Sequence, residues 1–124
     1  MLNTQAIGKQ TEAAAKKFLL QQGLRFIEEN YFCRKGEIDL IMQDKQQLVF
    51  IEVKFRRNNS HGSGAEAVTH QKRLKIISAA RHYLHQHHLT EVISCRFDVV
   101  SLNPTSNKRA PFNIEWLANA FDLN

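Results

Sequence analysis

The sequence predicts an α/β fold in which helices flank a mixed β-sheet. One reason is the order of its hydrophobic patterns over 124 residues, which runs helix, three strands, helix, strand and a short final element. A second is the composition, because 43% apolar and 23% charged residues are ordinary for a globular protein and unlike a disordered chain. The third is the length, which suits one domain over residues 1–124 and lets roughly two-thirds of the unfolded surface be buried.

Residues 5–22 predict the first helix. Their apolar side chains fall on one arc at about 100° per residue, which is typical of a helix that covers a core. Gly23 follows, and glycine commonly ends a helix. The arc consists of Ile7, Thr11, Ala14, Ala15, Phe18 and Leu19.

Three strands are predicted next. The first lies within residues 24–33, and Gly36 follows it. Residues 38–42 and 48–55 are apolar apart from three charged side chains. The polar stretch 43–47 between these two runs indicates a hairpin.

A second helix and a fourth strand complete the predicted layer. Residues 56–64 are rich in Asn, Ser, Gly and Arg, which is typical of a surface loop. Residues 65–88 predict a long helix, residues 92–102 a strand, residues 103–111 a proline-containing loop, and residues 112–121 a final strand or helix. The helix is expected to bury Val68, Leu74, Ile77, Ala80 and Leu84, and in the strand Ile93, Cys95, Phe97 and Val99 alternate with Ser94, Arg96 and Asp98.

Positive charge is concentrated in one segment. The formal net charge is +5, from 17 Lys and Arg against 12 Asp and Glu. Residues 54–81 hold seven of the basic residues and one acid, so the rest of the chain is slightly acidic. One interpretation is a solvated helix face beside a basic loop. The other is a rim that binds phosphates, since Lys and Arg contacts supply much of the affinity for nucleic acids.

The sequence gives no sign of a membrane or secreted protein. No stretch approaches the roughly 20 consecutive apolar residues of a membrane helix, and residues 1–9 have no signal-peptide core. We therefore expect a cytoplasmic protein with no membrane partner. Cys33 and Cys95 are too few for a disulfide framework or a four-ligand zinc site, so we interpret both as small buried hydrophobic residues.

Three ionisable residues, Asp39, Glu52 and Lys54, lie inside the two apolar strands of the hairpin. A buried charge is costly unless it is paired or holds a metal. A two-residue turn at residues 45–46, or a four-residue loop over residues 44–47, sets Asp39 opposite Glu52 and Glu37 opposite Lys54. Side chains in such positions have Cβ atoms roughly 4.5–5.5 Å apart. A turn at residues 44–45 would instead place the two acids diagonally, still on one face. An unbulged three-residue loop would put the two carboxylates on opposite faces instead.

Two carboxylates this close repel each other unless a cation lies between them. One or two carboxylates with waters and phosphate oxygens is the usual arrangement for Mg²⁺, and a nearby Lys can stabilise charge that develops on a phosphate. Metal-assisted phosphodiester hydrolysis uses these groups. The alternative is a structural cluster of salt bridges in which Lys54 or Arg34 neutralises the acids, and spacing alone does not favour either interpretation.

Glu12 is a further candidate. It lies at the edge of the first helix's apolar arc, so its carboxylate could be a third acidic ligand. Position alone favours the other interpretation, an exposed pair with Lys16 four residues later, which is worth about 0.2–0.5 kcal/mol.

The acidic strand motif resembles that of known nucleases. Asp39 followed by Glu52-Val53-Lys54 resembles the D…(D/E)-x-K signature of restriction-endonuclease-like nucleases. A longer string resembles the YraN-like family of small bacterial proteins: Gly8, Glu12, Ala15, Leu19, Gly23, Asn30, Gly36-Glu37-Ile38-Asp39-Leu40-Ile41, Leu48-Val49-Phe50-Ile51-Glu52-Val53-Lys54, Arg56, Ala67-Val68, Lys72, Arg96-Phe97-Asp98-Val99 and Asn119-Ala120-Phe121.

The resemblance implies a restriction-endonuclease-like core, similar to archaeal Holliday-junction resolvases. It implies that Asp39 and Glu52 are metal ligands, that Lys54 is the catalytic lysine, and that Glu12 is the acidic residue on the first helix. Glu37 and Lys72 match family positions and are supporting candidates. The chain departs from the family pattern at Phe32, where Arg is common, and at His61, where an aromatic residue is common, and both departures bear on substrate choice.

Together these observations predict a Mg²⁺- or Mn²⁺-dependent endonuclease that acts on DNA, with branched DNA as one candidate substrate. A symmetric dimer would suit a junction with two equivalent strands. One alternative is a nucleic-acid binding module without catalysis, and another is a protein-interaction module. The residues expected to contact phosphates are Arg56, Arg57, Lys72, Arg73 and Lys75.

Overall fold

Two helices pack on opposite faces of a five-stranded sheet. The structure is a computed structural model, and it describes residues 4–57 and 68–122. Its elements are α1 (Thr4–Gln21), β1 (Arg25–Cys33), β2 (Gly36–Asp44), β3 (Gln47–Phe55), α2 (His70–Gln86), β4 (Ser94–Pro104) and β5 (Phe112–Phe121). The predicted order of elements is confirmed, and the last element is a strand. Neither described helix is long and apolar enough to cross a membrane.

The sheet is mixed, as predicted. Its strand order follows the chain, from β1 to β5. β3 and β4 are parallel and are connected through α2, whereas all other neighbouring strands are antiparallel. β3 is therefore the central strand and carries the Glu-x-Lys motif, while β1 and β5 are the edges.

The β2–β3 hairpin has one of the registers that the sequence left open, the one that a turn at residues 45–46 requires. Its turn is Lys45 and Gln46, and Lys45 adopts a positive φ of 58°. The pairing runs from Asp44 opposite Gln47 to Leu40 opposite Ile51. Asp39 and Glu52 are the next residues on the two strands, so the turn sets where the carboxylates lie.

Each face of the sheet has its own apolar core. Along β3, Leu48 and Phe50 face α2, whereas Val49 and Ile51 face α1. A strand that is covered on both faces is apolar over its whole length, which explains the run in the sequence. By the same alternation, Glu52 projects to the α2 side of the sheet.

The predicted core face of the second helix is wrong at Leu74. Leu74 is 49% exposed, because the buried arc is centred on Ile76, Ala80 and Tyr83 and Leu74 lies outside it. α2 begins at His70, where the Thr69 side chain caps it. Residues 58–67, which include most of the predicted loop, the predicted start of this helix and His61, lie outside the described residues.

Asp98 is fully buried, which its alternation with apolar residues did not indicate. β4 contributes side chains to both apolar cores, so both of its faces are covered. The Asp98 carboxylate accepts hydrogen bonds from Arg96 Nε at 3.0 Å, Trp116 Nε1 at 2.9 Å and the Asn119 backbone N–H at 2.8 Å. Of the two cysteines, Cys33 is buried as predicted and Cys95 is half-buried against the α2-side core.

Candidate functional site

Asp39 and Glu52 meet where the β2–β3 ladder ends. The last paired residues are Leu40 and Ile51, and beyond them Asp39 Oδ2 accepts the Val53 backbone N–H at 2.8 Å. A side chain thus takes the place of a main-chain acceptor. Glu52 is only 5% exposed, and the negative charge of Asp39 raises its pKa. The hairpin therefore brings the two carboxylates together, as its predicted register required.

Glu12 joins them from α1. Its carboxyl group forms a side-chain hydrogen bond with Asp39. Glu12 does not pair with Lys16, the partner that its sequence position alone favoured. Lys16 instead lies 3.7 Å from Glu29 of β1 and over the Phe26 ring. Three carboxyl groups from three different elements thus share one site.

Burial is the main cause that raises the pKa of each of the three acids. Burial raises the pKa of Glu12 to about 7, and the charge of Asp39 adds to the effect. Burial likewise raises the pKa of Glu52 to about 7, again with a contribution from Asp39. The pKa of Asp39 is raised by burial, while the Val53 N–H opposes the shift. The site is therefore short of positive charge at neutral pH.

A hydrogen bond between two carboxyl groups needs a proton on one of them, because two ionised carboxylates can only accept. The raised pKa values of Glu12 and Asp39 are consistent with a proton that the two groups share.

Two lysines bring positive charge to the site. Lys72, in the first turn of α2, places its Nζ 3.7 Å from Glu52 Oε1. Lys54 is half-buried two residues after Glu52, and its charge lowers the pKa of Glu52. Glu37 is exposed, and its charge raises the pKa of Glu12, Asp39 and Glu52 alike. Both supporting candidates, Glu37 and Lys72, thus lie within electrostatic reach of the acids.

The other basic residues expected to contact phosphates are more dispersed. Arg73 Nε donates to the Val68 carbonyl at 3.1 Å, and its guanidinium lies over the Phe121 ring. Arg57 is exposed, with its guanidinium 6.0 Å from the centre of the Phe55 ring. The backbone N–H of half-buried Arg56 donates to Leu102 at 2.8 Å, and Lys75 is exposed on α2. Lys72, by contrast, pairs with the site carboxylate of Glu52.

Asn30 is a residue of the site region to which residue-level reasoning gave no role. On either side of it, Glu29 pairs with Leu40 and Tyr31 pairs with Ile38, so Asn30 lies opposite Asp39. Its φ is +54°, a left-handed conformation that Asn tolerates better than most residues. Its sequence signal was a single Asn within a strand-like run. We infer that this local twist of the edge strand helps to turn the Asp39 carboxylate towards Val53.

The donor set fits a hard divalent cation held partly by water. No group of three or more His, Cys, Asp or Glu side chains within residues 4–57 and 68–122 forms a ready-made metal site. Mg²⁺ and Mn²⁺ favour carboxylate oxygens, and Mg²⁺ usually binds through one or two of them and keeps several waters. Asp39 and Glu52 provide such a pair. A cation between them would offset the burial of both carboxylates and the charge of Asp39 that adds to the raised pKa of Glu52.

Comparisons with known proteins agree with the sequence-based family assignment. A family described as "Uncharacterised protein family UPF0102" matches residues 11–102. A UPF0102 protein of Legionella pneumophila strain Corby is 44% identical over 119 residues, which cover 96% of this chain and 97% of the relative. Others from Saccharophagus degradans (44%, over 94% and 93%) and Nitrosococcus oceani (46%, over 92% and 90%) are similar over nearly their whole length.

Proposed function

The chain belongs to the uncharacterised protein family UPF0102, and we propose that it is a metal-dependent nuclease that hydrolyses phosphodiester bonds in DNA. One observation carries the proposal. Glu12, Asp39 and Glu52 converge from a helix and two strands, with Lys54 and Lys72 beside them. A restriction-endonuclease-like core for this mixed sheet is part of the same proposal.

Asp39 and Glu52 would hold Mg²⁺ or Mn²⁺. When bound, such a cation supplies a Lewis acid for a phosphate oxygen and lowers the pKa of a bound water. The Val53 N–H holds the Asp39 carboxylate in one orientation. Glu12, half-buried and hydrogen-bonded to Asp39, is placed to ligate or to accept a proton near neutral pH, since its pKa is about 7.

The two lysines would act on the phosphate. Lys54 lies two residues after Glu52 on β3, and its charge lowers the pKa of Glu52. Its ammonium can therefore stabilise negative charge on the phosphate and orient the attacking water. Lys72 pairs with Glu52 at 3.7 Å through a half-exposed side chain. Once a cation neutralises Glu52, Lys72 is free to turn towards the substrate backbone.

A nucleic acid is the favoured substrate because the positive surplus is local. The basic segment, residues 54–81, begins near the end of β3. It includes Arg56 and Arg57, directly after β3, and Lys72 and Lys75 on α2. Lysine and arginine contacts with phosphates dominate affinity for polyanions. The choice of DNA over RNA, and of branched DNA as a candidate, rests on the resemblance to resolvases.

Cleavage assays on defined DNAs test the proposal. Purified protein is incubated with labelled single-stranded, linear duplex, flapped and four-way-junction DNA, with Mg²⁺ or Mn²⁺ or with a chelator. We expect metal-dependent cleavage that Asp39→Asn and Lys54→Ala abolish. Asp44→Asn and Lys45→Ala, at the other end of the hairpin, are matched controls and should cleave normally.

Three outcomes separate the alternatives. Cleavage that Asp39→Asn leaves unchanged would assign the activity to a contaminant and contradict the proposal. Salt-sensitive DNA binding without turnover would favour the non-catalytic binding module instead. If no nucleic acid binds at moderate salt, the protein-interaction alternative is favoured.

A further inference from the structure

Phe32 presents its aromatic ring to solvent at the edge of the carboxylate site, with 76% of the residue exposed. We propose that Phe32 stacks on an unpaired base of the bound nucleic acid, so that the substrate has single-stranded nucleotides next to the phosphate that is cut. The inference rests on the proposed nuclease function and adds the substrate class to it.

The strand geometry puts Phe32 on the side of the sheet that α1 covers. Tyr31 and Cys33 belong to the core under α2, so Phe32 between them projects to the opposite face. Glu12 reaches the site from the helix on that same face. Phe32 is paired with Glu37 across β1 and β2, so the two side chains stand next to each other.

Glu37, the cross-strand neighbour of Phe32, lies close to the carboxylate site. Its negative charge acts on Glu12, Asp39 and Glu52, the three acids that would bind the cation. Phe32 therefore stands at the rim of the site, beside the residue whose field reaches all three acids. A nucleotide held there has its base over the ring while a neighbouring phosphate is near the acids.

Cations lie around the turn that follows Phe32. Arg34 and Lys35 are exposed in the β1–β2 turn, and Gly36 packs this turn against α2. A Cβ on Gly36 would lie 2.7 Å from the Lys75 carbonyl oxygen, so only glycine allows so close an approach. The α2 backbone at Lys75 thus lies against this turn, on the face of the sheet opposite Phe32. Glu37 would repel a phosphate on its own side, so the backbone is expected to run along this basic turn.

An unpaired base is the occupant that fits this combination. A flat exposed ring followed by two exposed cations is typical of proteins that bind single strands, where bases stack on aromatic side chains and the backbone follows positive charge. A base inside a duplex keeps both faces against its neighbours and cannot stack on Phe32. The other exposed phenylalanine of this strand, Phe26, is 37% exposed and is covered by the Lys16 ammonium at 3.8 Å.

Binding measurements with cleavage suppressed test the inference. Wild-type protein and variants are titrated, in Ca²⁺ instead of Mg²⁺, with a blunt duplex and with the same duplex carrying a single-stranded tail that contains 2-aminopurine. We expect tighter binding of the tailed DNA and a fluorescence change on binding. Phe32→Ala should weaken tailed-DNA binding about 5- to 100-fold and leave blunt-duplex binding unchanged. Phe32→Trp should retain both properties.

Two further variants separate stacking from general apolar contact. Phe32→Leu keeps an apolar side chain without a π-face and should lose most of the preference for the tail. Val92→Ala is the matched control, because Val92 is 75% exposed but lies beside the β2–β3 turn at the other end of the sheet. Its affinity for both DNAs should equal that of the wild type.

Several outcomes would overturn the inference. Equal affinities of wild type and Phe32→Ala for tailed DNA would do so, and would leave the nuclease proposal standing if cleavage is intact. Equal losses on tailed and blunt DNA would make Phe32 a general contact. A change of oligomeric state in Phe32→Ala, measured by sedimentation, would assign the ring to an interface between copies. If the wild type binds no DNA, this inference and the nuclease function both fail.

Discussion

The backbone N–H of Val53 donates to Oδ2 of Asp39 at 2.8 Å, so one carboxylate both closes the end of the β2–β3 ladder and faces the other acids of the site. A structural bond and a proposed catalytic role thus fall on the same side chain. They can be separated, because an amide oxygen can accept the Val53 N–H but is a poorer ligand for a cation than a carboxylate.

Asp39→Asn and Asp39→Ala should therefore differ in stability but not in activity. Both are expected to abolish metal-dependent cleavage. Asp39→Ala leaves the Val53 N–H without its acceptor and should lower the free energy of unfolding by about 1–2 kcal/mol more than Asp39→Asn. Urea unfolding below about pH 6 measures this, because Glu12 and Glu52 are then mostly protonated and their repulsion is small. Equal stability of the two variants would mean that the bond contributes nothing.

Stability without metal should fall as the pH rises through neutrality. The pKa of Glu12 and of Glu52 is raised from 4.5 to about 7 in the folded protein, so between these values the folded state binds more protons than the unfolded state. These groups contribute most stability below pH 4.5, and that contribution is lost as the pH rises to about 7.

Thermal unfolding in chelator from about pH 5 to about pH 8 tests this pH dependence. We expect the melting temperature to decrease over the range, and the decrease to be smaller in Glu52→Gln. Glu91→Gln, at an exposed position after α2, is the control and should follow the wild-type curve. A wild-type melting temperature that rises over this range, or an identical slope in Glu52→Gln, would contradict the raised pKa of Glu52.

Divalent cations should restore the stability that is lost as the pH rises. A ligand that binds only the folded state at 100 times its Kd stabilises it by about 2.7 kcal/mol. Mg²⁺ or Mn²⁺ competes with protons for Asp39 and Glu52, so the rise in melting temperature should be larger at about pH 8 than at about pH 6. Calorimetry should also detect proton release on binding. The rise should disappear in Glu52→Gln and persist in Glu91→Gln, and no rise in the wild type would contradict the metal site.

Asn30 should tolerate glycine but not a β-branched residue. Its φ of +54° costs a residue with a branched Cβ about 1–2 kcal/mol, whereas glycine adopts it freely. Asn30→Val should lower the unfolding free energy by about that amount and reduce cleavage, because the strand opposite Asp39 loses its local twist. Asn30→Gly should retain the wild-type unfolding free energy and the wild-type cleavage. The reverse ranking of these two variants in urea unfolding would show that the left-handed conformation is not required.

The hairpin could be predicted from local sequence, whereas the whole site could not. The polar turn at Lys45 and Gln46 between two apolar runs fixes which residues face each other, and so the neighbourhood of Asp39 and Glu52. Glu12 depends on how α1 lies across the sheet. Helical periodicity shows which face is buried but not what that face meets, so position alone favoured the wrong partner for Glu12.

Other differences have the same origin in tertiary packing. Asp98 alternates with apolar residues as a half-exposed strand would, but β5 and the two helices cover β4, and its carboxylate is buried with three donors. Leu74 has helical spacing from Ile77, yet the arc that meets the sheet is centred on other residues. In both cases the pattern predicted the type of element correctly, but the packing of neighbouring elements determines which of its side chains are buried.

Lys54 and Lys72 should separate into a catalytic and an electrostatic role. Lys54→Met keeps much of the apolar stem but removes the ammonium, and it should lower kcat by at least about 100-fold with little change in cation affinity. Lys72→Met removes the partner that lies 3.7 Å from Glu52, so the pKa of Glu52 should rise further, since the charge of Lys72 lowers it.

Lys72→Met should therefore make Mg²⁺ affinity depend more steeply on pH. Where the acids are ionised, the cation no longer competes with the ammonium and should bind more tightly, whereas at lower pH the more basic Glu52 must first release its proton. Its cleavage should be low below neutrality and recover as the pH is raised. The kcat and metal dependence of both variants, measured from about pH 6 to about pH 9, give the comparison. Lys45→Met, at the distant hairpin turn, should match the wild type throughout. If Lys54→Met instead loses only cation affinity, or Lys72→Met shows no recovery at high pH, the division of roles between the two lysines is wrong.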